Sequence, residues 1–142
     1  MYIIKDIENK EIIDGIAKLE IEFFKKEAYS KESLEEMILS DSYILIVDNF
    51  EKINGYLLVH DSFDVFEIMK IAVIGKSREK GIGKDLINYF LNIKKENLFL
   101  EVREGNIKAI KFYEKIGFNQ VGKRKKYYCD GETAILMMLE RN

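Results

Sequence analysis

Glu101 lies inside a short apolar run, after Leu98-Phe99-Leu100 and before Val102. A carboxylate in such a place costs free energy unless it has partners. Burial also moves carboxyl groups in general towards the working range of a general base. The alternative is a glutamate at a strand end, paired with Arg103 or with a lysine. Asn106 and Tyr113 follow on one expected helix. Asn106 is well placed as its N-cap, and capping alone would account for it. Tyr113 offers a phenol that can donate a proton, and core packing would equally account for it.

A second group has the chemistry of an anion site. Ile71-Ala72-Val73 ends a strand, and Arg78-Glu79-Lys80-Gly81-Ile82-Gly83-Lys84 leads into a helix. The start of a helix exposes unpaired backbone N–H groups and carries a partial positive charge. Glycines let the backbone approach a ligand closely. With Arg78, Lys80 and Lys84 adding charge, the stretch suits phosphate. The other reading is a glycine-rich turn with a solvated basic rim. Two known phosphate loops fail on spacing. A Walker loop ending in Gly75-Lys76-Ser77 needs glycine where Lys70 stands, and a dinucleotide fingerprint starting at Gly81 needs a small residue where Leu86 stands.

These residues need a frame, and hydrophobic periodicity supplies one. Residues 2–7 read as a short strand. Residues 11–24 read as a helix with Ile12, Ile13, Ile16, Leu19 and Phe23 inward. A shorter helix begins at Ser30 or Ser33, with Leu34, Met37 and Ile38 inward. Strands are expected at 43–47, 53–60 and 65–74, then a polar basic loop at 75–80. A helix follows over 81–95 with Ile82, Leu86, Ile87, Phe90 and Ile93 on one stripe. Residues 98–102 read as a buried strand. A helix over 106–116 turns Ile107, Ile110, Tyr113 and Ile116 inward. The chain ends in two strands, 118–128 and 133–139, around an Asp130-Gly131 hairpin signal. The order β-α-α-β-β-β-α-β-α-β-β predicts an α/β domain with a mixed sheet and a right-handed parallel crossover between 65–74 and 98–102.

Composition bounds the function. The 142 residues fit one domain, and 47% hydrophobic with 34% charged content reads as globular. A net charge of −2 gives no support for a nucleic-acid partner. One cysteine, Cys129, and one histidine, His60, make a metal site and a disulfide unexpected. No run reaches the ~18 apolar residues of a membrane helix. A reduced, cytoplasmic setting without membrane attachment is the expectation. Cys129 and His60 are both read as structural.

The run R-E-K-G-I-G at 78–83 resembles the acetyl-CoA signature of the GNAT N-acetyltransferases, (R/Q)-x-x-G-x-(G/A), and begins five residues after Val73 as in that family. The stretch L-E-V-R-E-G-N-I-K-A-I-K-F-Y-E-K-I-G-F, 100–118, and the tail K-R-K-K-Y-Y-C-D-G-E-T-A-I-L-M, 123–137, are similar to the bacterial ribosomal-protein-alanine N-acetyltransferases. The resemblance is specific from about Ile71 onward.

It implies a single GNAT domain over 1–142: a mixed, mostly antiparallel sheet of about seven strands, splayed in a V between the fourth and fifth, with about four helices. It implies acetyl-CoA as co-substrate and no metal. The pantetheine would run along Ile71, Ala72 and Val73. The pyrophosphate would rest on the amides of Arg78, Glu79, Lys80, Gly81, Ile82, Gly83 and Lys84, and Asn106 would contact the cofactor near the pantetheine. Glu101 would be the general base, Tyr113 the general acid, and an N–H near Val73 an oxyanion donor. The amine would attack the thioester directly.

The expected acceptor is the α-amine of a protein or peptide N-terminus, such as an alanine-starting ribosomal protein, with no direct nucleic-acid contact and a monomer or weak dimer as the working form. A small-molecule amine, a lysine side chain, or acetyl-CoA sensing without turnover are the alternatives. The chain departs from the family at Gly75, where proline is common, at Glu79, where glycine is common, and at Ala28-Tyr29-Ser30, where many relatives carry Pro-Trp-Ser. Tyr29, Tyr127 and Tyr128 are the expected acceptor contacts, the last two matching the family pair. The cluster from Lys123 to Lys126 is either a solvated face or a steering patch for an acidic or ribosome-associated partner.

Overall fold

The computed structural model of the protein describes residues 1–142, and the side chains of all but Arg78 and Glu79. In chain order the elements are β1 (Tyr2–Ile4), α1 (Lys10–Phe24), a 3₁₀ turn (Lys25–Glu27), α2 (Lys31–Leu39), β2 (Tyr43–Val47), β3 (Gly55–Asp61) and β4 (Val65–Val73). Then come a 3₁₀ helix (Gly75–Lys80), α3 (Ile82–Ile93), β5 (Asn97–Arg103), α4 (Ile107–Ile116), β6 (Asn119–Arg124) and β7 (Ala134–Leu139). The seven strands form one mixed sheet in the order β1-β2-β3-β4-β5-β7-β6. Strands β4 and β5 pair in parallel from Val65↔Asn97 to Glu67↔Phe99. The pairs β1–β2, β2–β3, β5–β7 and β6–β7 are antiparallel. The α/β architecture and the element order are those expected from the sequence.

Local chemistry explains the helix starts. Asn9 accepts from the Ile12 amide at 3.2 Å, Ser30 from Ser33 at 3.1 Å and Asn106 from Ala109 at 3.2 Å, each capping an otherwise unpaired N–H. The chain divides into two compact units, Met1–Asp61 with Met69–Lys94, and Ser62–Ile68 with Lys95–Asn142.

In the first unit, Ile12, Ile13 and Ile16 of α1 and Leu34, Met37 and Ile38 of α2 pack with Leu45, Val47, Tyr56 and Leu58 of the sheet. The alternating residues Ile46, Leu57 and Val59 are equally buried, and α3 brings Leu86, Ile87 and Phe90 against β2 and β3. Strands covered on both faces read as continuous apolar runs, which is why Tyr43–Val47 shows no alternation. In the second unit, β5 does alternate. Leu98, Leu100 and Val102 are buried, while Phe99, Glu101 and Arg103 turn to the more open face.

Several boundaries differ from expectation. The basic loop at 75–80 is a 3₁₀ helix. The first strand is only Tyr2–Ile4. Strand β6 stops at Arg124, so Tyr127 and Tyr128 lie in the connection to β7 rather than in a two-residue hairpin. Lys126 takes a left-handed φ of 54°, which an extended strand cannot hold, and the turn closes by Gly131 N–H donating to the Tyr128 carbonyl at 2.8 Å. Ile107 is 54% exposed rather than inward. A step of three residues advances 300° rather than a full turn, so the set 107, 110, 113 and 116 drifts around the helix and only Ile110 and Tyr113 are buried. Ile93, on the last turn of α3, is 41% exposed.

Candidate active site

The expected anion-binding end lies at the start of α3. Gly81 takes the left-handed conformation, φ 76° and ψ 19°, and is the N-cap. It joins the 3₁₀ helix to α3 at an angle that residues with a Cβ resist. No side chain caps this helix, and its first intrahelical bond is from the Asp85 amide to the Gly81 carbonyl at 3.0 Å. The amides of Ile82, Gly83 and Lys84 therefore precede the α3 ladder and have no carbonyl partner within that helix. Lys80 and Lys84 are exposed beside them, and Gly83 is buried against the fold. The Arg78 side chain, expected to add charge at the phosphates, lies outside the described residues, as does that of Glu79.

The strand before this helix is held closely. Ala72 is buried, and Ile71 and Val73 are half-buried. A Cβ at Gly55 would meet Ile82 Cγ2 at 3.0 Å, the Ala72 carbonyl oxygen at 3.1 Å and Val73 Cγ2 at 3.1 Å, so only glycine lets β3 lie against the end of β4 and the start of α3. Next to it the Asp48 carboxylate accepts from the amides of Asn54 and Gly55 at 2.8 and 3.0 Å, and the Asn54 carbonyl accepts from Ile74 N–H at 2.8 Å. The sequence reading did not single out Gly55 or Asp48. An Asp before an Asn-Gly pair was the available signal.

The catalytic candidates lie in the second unit. The Glu101 side chain is 15% exposed, and its carboxylate pairs with Arg124 Nε at 3.2 Å. The expected alternative partner, Arg103, instead binds Asp130 at 2.9 Å and Glu132 at 3.1 Å. The register explains the exchange. Glu101, Leu136 and Gly122 form one row across β5, β7 and β6, and Arg124 lies two residues on from a glycine that leaves the path clear. Tyr127 stands at the same place. The Glu101 charge, then a hydrogen bond to that carboxylate, hold the Tyr127 hydroxyl above its ordinary range, with a smaller push from Glu67. Tyr128 lies under the Arg103 guanidinium, 4.0 Å from ring centroid to Cζ. The structure thus brings together Glu101, Tyr127 and Arg124, and ties Tyr128 to the Arg103 network.

Tyr113 is 7% exposed, between Phe112 and Phe118 at centroid distances of 5.2 and 5.5 Å. Burial pushes its hydroxyl well above the usual phenol range, so it remains protonated at any working pH. Asn106 is exposed, and its side-chain oxygen is committed to the cap by accepting from the Ala109 amide. Tyr29 is held in the first unit, its amide donating to Glu20 at 2.9 Å.

The basic tail is partly paired. Lys123 reaches Glu104 at 3.1 Å, and Arg124 is the partner of Glu101. His60 has Tyr43 at 4.6 Å between rings, and Cys129 is exposed. Among the described residues, no group of three or more His, Cys, Asp or Glu could hold a metal ion, and no helix is long and apolar enough to cross a membrane.

The comparisons with known proteins identify the family. The model of the Acetyltransferase (GNAT) family matches residues 13–118. An uncharacterised N-acetyltransferase of Methanocaldococcus jannaschii is 31% identical over 98% of this chain and 92% of its own. A Bacillus subtilis protein provisionally named a ribosomal protein bS18-alanine N-acetyltransferase is 30% identical over 93% of this chain and 91% of its own. Among solved structures, an aminoglycoside 6'-N-acetyltransferase complexed with coenzyme A superposes with a TM-score of 0.82 at 18% identity, covering 97% of this chain and 96% of that one. The chain belongs to the GNAT acetyltransferase family and is an acetyl-CoA-dependent N-acetyltransferase.

Proposed function

We propose that the acceptor is the α-amine of a protein N-terminus, with an alanine-starting ribosomal protein as the leading candidate, and that Glu101 removes its proton. The observation that carries this reading is the group formed by Glu101, Arg124 and Tyr127. It is a carboxylate held in one orientation by a guanidinium and flanked by an aromatic hydroxyl. Full-length likeness to the Bacillus subtilis protein supports the ribosomal assignment.

An ammonium has no lone pair, so it must lose a proton before it attacks. An α-amine has a pKa of about 7.7–8.0 and a lysine amine about 10.4, a gap of roughly 2.5 units or about 3.4 kcal/mol. A carboxylate relaying through water meets the smaller demand with an α-amine. The amine nitrogen then bonds to the thioester carbon, and the carbon–sulfur bond breaks. Glu101 carries away the ammonium proton. Tyr113 donates to the leaving coenzyme A sulfur; the second proton, which the nitrogen sheds as it becomes an amide, passes to solvent, and solvent returns a proton to Tyr113. In this reading Ile71, Ala72 and Val73 run beside the pantetheine, and an N–H near Val73 faces the oxyanion. The amides of Ile82, Gly83 and Lys84 take the pyrophosphate, with Lys80 adding charge. Asn106 supplies its free NH₂ to the cofactor.

The test is acetylation with mass readout of two peptides: one beginning with alanine, the other with the same sequence, a blocked N-terminus and an internal lysine. The expected result is one acetyl group on the first peptide only. Acetylation of the blocked peptide alone would overturn the α-amine reading. Glu101→Gln should lower kcat/KM for the first peptide by about 10²–10⁴-fold, the usual range for a general base.

A further inference from the structure

The first unit contains a charged pair that the acetyl-transfer chemistry does not use. Glu20, on α1, is 0% exposed, and Lys70, on β4, is 9% exposed, with 3.7 Å between Nζ and Oε1. The Glu20 carboxylate accepts from the Tyr56 hydroxyl and, at 2.9 Å, from the Tyr29 amide. The Lys70 ammonium donates to the Glu27 carbonyl at 2.8 Å. It also lies 3.9 Å from the Phe24 ring centroid and 5.0 Å from that of Tyr29. Four of these contacts converge on residues 24–29, the stretch that runs from the last residue of α1 towards α2. That segment has no regular ladder of its own beyond one 3₁₀ turn, and Lys25 sits at a left-handed φ of 50°.

A buried ion pair is weak evidence for global stability, because apolar residues of similar volume often do as well or better. Apolar residues cannot, however, tell the Tyr29 amide and the Glu27 carbonyl where to be. The geometry points to Glu20 and Lys70 as positioning residues for the acceptor: a buried clamp that fixes the segment carrying Tyr29 and so sets acceptor affinity. The inference rests on the reading of Tyr29 as an acceptor contact. The clamp removes the ordering cost that a loose segment would add to each binding event.

The test measures acceptor KM, acetyl-CoA KM, kcat and thermal midpoint for four variants of the full chain with the alanine-starting peptide. Lys70→Met alone would leave the buried Glu20 charge unpaired, so the informative variant is the neutral double Glu20→Gln/Lys70→Met. It is expected to keep its thermal midpoint, to raise acceptor KM by about tenfold, equivalent to 1.4 kcal/mol, and to leave acetyl-CoA KM within about twofold of wild type. Lys70→Arg keeps a cation over both rings and a donor for Glu27, and should retain the wild-type acceptor KM. Phe24→Leu removes one wall under the ammonium and should raise acceptor KM by a smaller factor. If the double variant keeps wild-type acceptor KM while Tyr29→Ala raises it, the clamp is refuted and Tyr29 keeps its role. If Tyr29→Ala itself leaves acceptor KM unchanged, the reading of Tyr29 fails and the clamp fails with it. A fall in thermal midpoint together with an equal rise in both KM values would make the pair merely structural and overturn the inference.

Discussion

Replacing Tyr113 by phenylalanine removes one oxygen and little else. The ring stays between Phe112 and Phe118, whose centroids are 5.2 and 5.5 Å away. The hydroxyl takes no hydrogen-bond partner among the described residues, and the side chain is 7% exposed. Stability should therefore change by less than ~0.5 kcal/mol, since removing the hydroxyl breaks no protein hydrogen bond and leaves no buried polar group unpaired. The catalytic effect should be far larger. A thiol such as that of coenzyme A has a pKa of about 8.5 and an unperturbed phenol about 10, so complete proton transfer to the thiolate is uphill by at least ~2 kcal/mol. Burial raises the Tyr113 hydroxyl and steepens that slope. In the proposed mechanism the phenol would thus act first as a hydrogen-bond donor to sulfur as charge develops.

A hydrogen bond to a charged group is worth about 1.5–3 kcal/mol, which corresponds to a fall in kcat of roughly 10–150-fold. Acetyl-CoA KM should move little, because the interaction matures only as the bond to sulfur breaks. The assay is thiol release at saturating acetyl-CoA, with a urea midpoint measured on the same preparation. A thioester with a more acidic leaving thiol needs less help, so the defect should shrink with it. A variant that keeps kcat within twofold at unchanged stability would show that Tyr113 only packs. A defect of equal size with both thioesters would place its action elsewhere than on the leaving sulfur.

Two further outcomes follow from backbone geometry and from titration. Among the described residues a Cβ at Gly81 meets nothing within 4 Å, so Gly81→Ala should cost the left-handed backbone alone, about 1–2 kcal/mol in chemical denaturation. Asparagine visits that conformation more readily, so Gly81→Asn should lose less stability and keep acetyl-CoA KM nearer wild type; equal losses would implicate bulk at the phosphate site rather than the turn. At high pH, Tyr56 and Tyr113 should undermine the fold. Burial pushes both hydroxyls up, and the Glu20 carboxylate adds to the effect on Tyr56. The unfolded chain releases these protons near pH 10, where the folded chain still holds them, so the unfolded state binds fewer protons and stability falls as pH rises above about 10. Below that pH both states keep the protons and the full stability is present. The urea midpoint followed from pH 8 to pH 11 should show this, with a shallower fall for Tyr113→Phe.

What the sequence made legible was whatever rests on neighbours along the chain. Helix caps at Ser30 and Asn106 depend on an N–H three residues away, and both are present. The glycine turn into α3 is likewise a local device, and Gly81 has the backbone angle that its place in the motif demands. The partners of the charged groups were not legible, because they depend on strand register and on which elements share a layer. Glu101 was expected to meet Arg103 or a lysine, its neighbours in sequence. Residues two apart on a strand share a face but stay about 7 Å apart, so Arg124 reached the carboxylate first, from across β7 and past Gly122.

The Glu20–Lys70 pair was hidden for a related reason. Glu20 reads as one more polar position on an amphipathic helix, and Lys70 as a charge interrupting an apolar strand. Each looks like a minor breach of pattern. Only when α1 is laid over β4 do the two breaches meet, and each then supplies the partner that makes burial of the other tolerable. The two places where local pattern failed are therefore of one kind. In both, a charge is held off the solvent by a residue distant in sequence, and in both it fixes a tyrosine: Tyr127 beside Glu101, and Tyr29 beside Glu20. At Glu20 and Lys70, patterning by burial alone would have placed apolar residues at lower cost, so those charges are best explained by what they orient.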